Sequence, residues 1–482
     1  MTLLWILVAA AAGIPLLALL GDGRRGRILF VGINLVVFML SLLLAKEFLA
    51  HGTLRALDDS FRMDALSLIL VLVNGLVGLM TAWFSSAYWQ REISEHGFGK
   101  GRQRLYHAMF QSFLATMLLA LLSNNLGILW VALEGATLST VLLVSMQRSA
   151  ESLEAAWKYF ILCGVGLAMA LFGTVLLYFA AQPVLGSGAR ALLWSALDGH
   201  AKALNGTALA LAFVFVLVGY GTKVGLAPLN SWLPDAHAAG PSTVSAVLSG
   251  LLLNVALYAI LRFKSLADAA LGSAFASHLL LAFGLLSLLL AALSMLRQHD
   301  VKRLFAYSSV EHMGLISIAF GLGGPLAIFA GVLHMVGHSL AKSSVFFSVG
   351  RAIQEGHSRE LADLRGILQT RPTLGWSLLL SIFAILGMPP GSLFLSEFLI
   401  VVASVQQMWM ITPILLLGLG VAFAAILPRL LSMLYGEATP VPAQRTRGLV
   451  PVFVQILVVV LLGIWIPGSL NAWMHSVAGI LQ

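Results

Sequence analysis

Three ionisable side chains stand at one spacing inside an apolar stretch. They are His334, His338 and Lys342, in GVLHMVGHSLAKSSVFFS (331–348). The i, i+4, i+8 pattern puts all three on one face of a helix. Ionisable groups inside a bilayer are costly and mark ion pathways. The stripe belongs to a larger set: Glu134, Lys158, Lys223, Asp235, His237, Glu311, His312 and Glu397 also fall in or beside apolar runs. Seven of the set are Asp, Glu or Lys. At roughly 2.5–3.5 kcal/mol each, seven unpaired charges would cost about 17–25 kcal/mol. That exceeds the ~5–15 kcal/mol stability of a typical domain. They must be paired, hydrated or partly neutral, and four acids against three lysines suit internal pairing. The chemistry is proton relay. An opposite charge favours the ionised form and burial disfavours it, so a pair that opens and closes switches a proton. Glu134 against Lys158 or Lys223 is the candidate switch, and histidine bridges carriers near neutral pH. Other readings stay open. The Glu134–lysine pair has a static structural alternative, the histidines an alternative as hydrogen-bonded bundle residues, and Lys158 and Asp235 one as side chains reaching the interface.

Other chemistries are poorly supported. His334 and His338 share the spacing of a zinc-binding H-E-x-x-H helix, but Met-Val-Gly lies between them and no third ligand is evident. A haem would need a partner on a facing helix, and Lys342 would oppose a ferric centre. Cys163 is the one cysteine, so the chain holds neither an iron–sulfur cluster nor an internal disulfide. No metal or cofactor is expected in this chain, and electrons must travel elsewhere. GLGG (321–324) is a span-linking turn, since no strand precedes it.

The elements that must position this set are membrane helices. Of 482 residues, 59% are hydrophobic and 10% charged, and mean hydropathy is +0.95. A soluble domain carries about 25% charged residues. The net charge of +8 reads as basic cytoplasmic loops rather than a nucleic-acid surface. The first apolar run has no Lys or Arg ahead of it, while Arg24, Arg25 and Arg27 follow, the reverse of a secretory leader. We therefore expect an all-α polytopic membrane protein. Apolar runs near 2–20, 28–45, 64–87, 105–122, 125–146, 158–180, 207–227, 242–262, 277–296, 303–321, 325–350, 373–403, 409–434 and 449–470 suggest about 14 transmembrane helices. Odd-numbered connections, Arg445 included, hold eighteen of the 28 Lys and Arg. That bias places them in the cytoplasm and both termini outside.

Spans 7 and 12 read as discontinuous. Pro228, Pro234 and Pro241 interrupt the first, and Pro389 and Pro390, within GMPPG (387–391), the second. Proline removes a donor and clashes with the preceding turn, and broken backbone at membrane depth lines protein or water. Paired interruptions mark midplane sites of repeat-built transporters. Five spans separate these two, which suggests two inverted five-helix repeats, about 105–262 and 277–434. The organisation expected is an N-terminal part (1–104), a translocation module (105–434) and a C-terminal helix (435–482).

Several runs resemble a known family. K-x-G-L-A-P-L-N-S-W-L-P-D-A-H (223–237), P-S-T-V-S-A-V-L-S-G (241–250), D-V-K-R-L-F-A-Y-S-S-V-E-H-M-G (300–314) and H-M-V-G-H-S-L-A-K (334–342) are similar to the antiporter-like subunits of respiratory complex I, Mrp-type antiporters and membrane-bound hydrogenases. The resemblance covers roughly 105–400 and implies a fourteen-helix proton-translocating module with Glu134, Lys223 and Glu397 on a hydrated axis. Glu311-His312 looks most like the hydrogenase-4 component F branch. Many members carry a lysine where Asn254 stands, so relay there would need water or Glu311–His312. The implied role is a membrane-arm subunit of a redox-driven complex of the group 4 [NiFe]-hydrogenase, formate hydrogenlyase or NADH:quinone oxidoreductase kind, in the bacterial inner membrane. Partners would be other antiporter-like subunits and peripheral hydrogenase or dehydrogenase subunits holding Fe–S, Ni–Fe or quinone. Rival roles are an Mrp-type Na⁺(K⁺)/H⁺ antiporter subunit without electron transfer, and a structural anchor.

Overall fold

The structure is a computed structural model that describes residues 1–96, 99–437 and 446–481. Arg445, counted above with the odd connections, lies outside them. The first part runs α1 (Thr2–Leu20), α2 (Gly23–His51), a ribbon of β1 (Leu54–Ala56) and β2 (Phe61–Met63), and α3 (Ala65–His96). Then come α4 (Lys100–Leu122), α5 (Leu126–Val144), α6 (Ala150–Leu185), the short α7 (Trp194–Asp198), α8 (Gly206–Val224) and α9 (Trp232–Ala239). The middle holds α10 (Ser242–Val247), α11 (Leu253–Leu271), α12 (Ser273–Met295), α13 (Val301–Leu322) and α14 (Gly324–Gly356). The chain closes with α15 (Ile367–Thr370), α16 (Pro372–Ile385), α17 (Ser392–Met408), α18 (Thr412–Tyr435), α19 (Val450–Ile464) and α20 (Gly468–Leu481).

Among the described residues 11 helices are long and apolar enough to cross a membrane, or 12 if the bent α19–α20 pair is one span. This is a multi-pass membrane protein. The number is below the expected fourteen for physical reasons. The polar side chains of α13 dilute its hydropathy, α16 has only 14 residues, and 392–435 reads as one long apolar stretch. Helices dominate because lipid offers the backbone no partners, so each segment must satisfy its own. Side chains close several N-termini: Asn125 for α5, Ser149 for α6, Asn205 for α8 and Asp300 for α13.

The ribbon is a small exception to the all-α expectation. It pairs Leu54 with Met63 and Ala56 with Phe61. The chain turns through left-handed Leu57, Asp58 and Asp59, which ends helical continuation. The tight 123–125 connection ties to it: Asn124 N donates to Ser60 O at 2.9 Å, and its side-chain amide donates to Asp59 O and Ser195 Oγ, each at 2.7 Å.

The centre is α14, which packs on α3, α10, α13, α16, α17, α19 and α20. The window through α10 and α11 is entirely buried, whereas α1 and α2 are mostly exposed. Polar side chains on α10, α11, α13 and α14 are therefore held within protein.

Both expected breaks are present. Residues 225–231 are unwound between α8 and α9, and 386–391 between α16 and α17. Each opens on a left-handed glycine, Gly225 (φ +77°) and Gly387 (φ +62°), with a proline three residues on, Pro228 and Pro390. The first break satisfies its backbone from neighbours: Trp232 Nε1 donates to Thr222 O at 2.7 Å, and Ala227 N to Ser287 Oγ at 2.8 Å. Pro234 is a correction. It sits in the first turn of α9, where a missing N–H costs nothing, so it interrupts no helix. Pro241 caps the start of α10.

Candidate functional site

Lys223 ends α8 and is fully buried. Its Nζ donates to Thr137 Oγ1 at 2.5 Å and Tyr159 Oη at 2.8 Å, and lies 4.9 Å from the Tyr159 ring centroid. The direction of each bond can be worked out. Thr137 spends its hydroxyl hydrogen on Leu133 O, and Thr140 on Ala136 O. Thr140 Oγ1 must then accept from Tyr159 Oη, 2.6 Å away. Both oxygens facing Lys223 therefore present lone pairs, a cradle for an ammonium. Glu134 lies near enough for its charge to act on Lys223, and its Oε2 is buried without a partner among the described residues.

The candidate switch is thus arranged differently from the expectation. Lys223 rests on two hydroxyls, and Lys158 does not meet Glu134. Lys158 is half exposed and pairs with Glu154 at 2.7 Å and Asp235 at 3.3 Å. Asp235 also pairs with Arg303 at 2.9 Å. The Lys158–Asp235 group ties α6, α9 and α13 together at the rim. Lys302, assigned to a loop by charge counting, is buried. It donates to the carbonyls of Ala238, at 3.2 Å, and Gly240, placing a cation where a helix C-terminus attracts one.

Further in, the ring of His237 stacks on Phe346 of α14, with centroids 4.9 Å apart and planes at 5°. Neither of its nitrogens has a protein partner among the described residues. Lys342 is buried, donates to Phe305 O at 3.0 Å, and is close enough to Glu311 for their charges to interact. Neither nitrogen of His338 has a partner among the described residues, and its ring lies 5.4 Å from that of His312.

The last group is a chain of contacts. His334 Nδ1 lies 2.9 Å from Ser396 Oγ, and Ser396 gives its own hydrogen to Leu393 O at 2.9 Å. Ser396 must accept, so His334 carries its proton on Nδ1. His334 Nε2 then offers a lone pair to His312 Nδ1, 2.9 Å away. His312 Nε2 faces Glu311 Oε2 at 3.4 Å, and the Ile385 carbonyl also faces the ring. One further proton has a place here, on Nε2 or on the Glu311 carboxyl. Glu397 completes the group: a carboxylate oxygen and one nitrogen from each of His312 and His334 lie within 4.8 Å of one another. The carboxylate of Glu397 lies over Gly387, where a Cβ would stand 2.1 Å from Oε2. A cavity of about 290 Å³ reaches Glu311, His312 and Glu397.

These groups follow the packing order. α9 contacts α5, α6 and α13, and α13 contacts α14 and α17. His237 and Lys342 lie near enough for their charges to interact, as do Lys342 and Glu311, with the other histidines and Glu397 beside them; Glu134 and Lys223 form a separate group on α5 and α8. Asn254 donates to Ser339 Oγ at 2.8 Å and Met335 O at 3.2 Å, while its Oδ1 is buried without a partner among the described residues. Buried polar groups are satisfied by protein or ordered water. The atoms of Glu134, His237, Asn254 and His338 left without a partner among the described residues are where ordered water would bond. Sequence reasoning missed Thr137, Thr140, Tyr159 and Ser396. The only signal was their hydroxyls within apolar runs.

Comparison with known proteins agrees with this architecture. The profile of a family described as NADH:quinone oxidoreductase/Mrp antiporter, transmembrane, matches residues 123–423. The chain is 47% identical over 422 residues to a hydrogenase-4 component F homolog of Methylacidiphilum infernorum, covering 88% of this chain and 89% of that one. It is 28% identical over 437 residues to NADH-quinone oxidoreductase subunit M of Escherichia coli (strain K12), covering 87% and 82%. Among solved structures, a chain of the membrane-bound sulfane sulfur reductase, an archaeal respiratory membrane complex, superposes with TM-score 0.87 at 22% identity, covering 99% of this chain and 96% of that one. That last likeness speaks for the fold alone.

Proposed function

Because the chain belongs to the NADH:quinone oxidoreductase/Mrp antiporter transmembrane family, we propose that it is the proton-translocating membrane-arm subunit of a redox-driven complex of the hydrogenase-4 kind. One observation carries this reading: titratable side chains from α5, α8, α9, α13, α14 and α17 are held inside the bundle in two groups, one about Lys223 and one about Lys342, Glu311 and the histidines, with a helix break beside Lys223 and another beside Glu397. Supporting it, the curated relatives at 47% and 28% identity are named as components of hydrogenase-4 and NADH-quinone oxidoreductase. Fe–S, Ni–Fe or quinone chemistry would reside in peripheral partner subunits. The full fourteen-span, two-repeat arrangement in a bacterial inner membrane, with both termini periplasmic, forms part of the proposal. The matched glycine–proline breaks support the repeats.

The geometry suggests how two such groups relay a proton. Thr137 and Tyr159 hold Lys223 as an ammonium, and Glu134 adds its field. Electron transfer in the partners would change the charge met by one end of the relay. Lys223 would then yield a proton toward His237 and Lys342, and the Glu311–His312–His334 chain would pass it on. Moving one charge against 100 mV takes about 2.3 kcal/mol, well within the reach of one charge-assisted hydrogen bond.

The test is Lys223→Ala in the assembled complex, read as proton translocation in inverted vesicles. Loss of translocation with normal assembly is expected. Unchanged translocation would show that the chain is an anchor. Cation-driven proton flux without co-purifying redox subunits would instead favour the Mrp-type exchanger, which shares the family.

A further inference from the structure

Two histidines and a glutamate from three helices converge beside the second helix break. We propose that His312, His334 and Glu397 form a Zn²⁺-binding site inside the helix bundle. The first argument is convergence. One nitrogen of each histidine and one oxygen of Glu397 lie within 4.8 Å of one another, although α13, α14 and α17 supply them separately. His312 Nδ1 and His334 Nε2 are 2.9 Å apart. Two nitrogens bound to Zn²⁺ at about 2.0–2.1 Å in tetrahedral geometry stand about 3.3 Å apart. Small ring rotations therefore suffice.

The second argument lies in the outer shell. Ligating histidines usually donate their other N–H to a carboxylate, carbonyl or hydroxyl. Both do so here. Ser396 holds the proton of His334 on Nδ1 and leaves Nε2 free. For His312, ligation through Nδ1 puts its proton on Nε2, which faces Glu311 Oε2 at 3.4 Å. No proton leaves the imidazole in that change of tautomer. The carboxylates of Glu397, which is partly buried, and of Glu311 balance the two charges of the ion, as removal from water requires. The cavity of about 290 Å³ that touches Glu311, His312 and Glu397 leaves room for a fourth ligand, water or a rotated Glu311. His338, buried beside His312 with neither nitrogen partnered among the described residues, is a further donor at the margin.

Zn²⁺ there would remove the His312–His334 hydrogen bond. If the proton line of the proposed function is correct, the ion also blocks it. That consequence rests on the functional reading; the binding site does not.

The experiment uses Zn²⁺ alone, added to the purified full-length chain without a polyhistidine tag and to vesicles holding the assembled complex. One Zn²⁺ per chain should survive dialysis, with X-ray absorption showing two imidazole nitrogens and carboxylate oxygen near 2.0–2.1 Å. His334→Ala and the nearly isosteric Glu397→Gln should weaken binding at least tenfold. Ser396→Ala, which keeps every ligand, should weaken it about 10–100-fold. His51→Ala, at an exposed position, should change nothing. Wild-type affinity in all three site variants, or a coordination shell without imidazole, would overturn the site. Stoichiometric binding that leaves translocation unchanged would uphold the site and refute the relay through it.

Discussion

Tyr159→Phe removes one oxygen and nothing else. In the wild type, Tyr159 Oη accepts from Lys223 Nζ at 2.8 Å while donating to Thr140 Oγ1 at 2.6 Å. The phenyl ring keeps its packing against Trp232, 4.8 Å away between centroids. What changes is the number of acceptors facing a fully buried ammonium, from two to one. A hydrogen bond to a charged group contributes about 1.5–3 kcal/mol net, which at 1.36 kcal/mol per decade is a factor of about 10–150. If Lys223 must hold a proton during each cycle, translocation at fixed electron flux should fall by about that factor, with assembly unchanged. Thr137→Val, which takes away the other acceptor at 2.5 Å, should fall similarly. The double variant should approach Lys223→Ala rather than the product of the singles, because all three act on one group. The assay is the ratio of protons moved to electrons transferred in inverted vesicles. A Tyr159→Phe complex with the wild-type ratio would show that the ammonium needs no cradle, and the proposed relay through Lys223 would fail.

Two other perturbations follow from the structure. Asp64 and Arg262 form a buried ion pair at 2.6 Å, each no more than 5% exposed; Asp64→Asn should cost about 3–5 kcal/mol, seen as a lower unfolding temperature in detergent. Burial opposes ionisation of Asp64, but Arg262 and the Ser67 amide outweigh it and hold the carboxyl below its usual range. Its stabilising share is then fully present above about pH 4 and lost as pH falls through the lower folded value; a variant as stable as wild type at neutral pH would contradict this. Gly387→Ala would place a methyl 2.1 Å from Glu397 Oε2 at a left-handed backbone position, so translocation should drop while the complex still assembles; full activity would separate Glu397 from the line.

Much of the architecture was legible in the chain itself. The apolar runs, the two interruptions and the His334–His338–Lys342 stripe are patterns of local spacing, and helical geometry converts spacing into position without help from the rest of the molecule. The 123–125 connection between two of those runs is fixed by the hydrogen bonds of Asn124. The interruptions were read correctly at Pro228, Pro389 and Pro390 but wrongly at Pro234, because a proline in a first turn looks the same in sequence as one that breaks a helix.

What sequence could not assign was partnership. Lys158 and Tyr159 are neighbours in the chain, yet about 100° of helical rotation separates them. One points to the rim and pairs with Glu154 and Asp235; the other points inward and meets Lys223. His312 meets His334 across 22 residues, and His334 meets Ser396 across 62. Such contacts depend on which faces of α13, α14 and α17 turn toward one another, and only the summed packing of the whole bundle settles that. The residues able to carry a charge were determined by the sequence. The tertiary structure decided which of them stand within reach of the next, since hydrogen bonds act over about 3 Å and no local pattern sets the distance between helices.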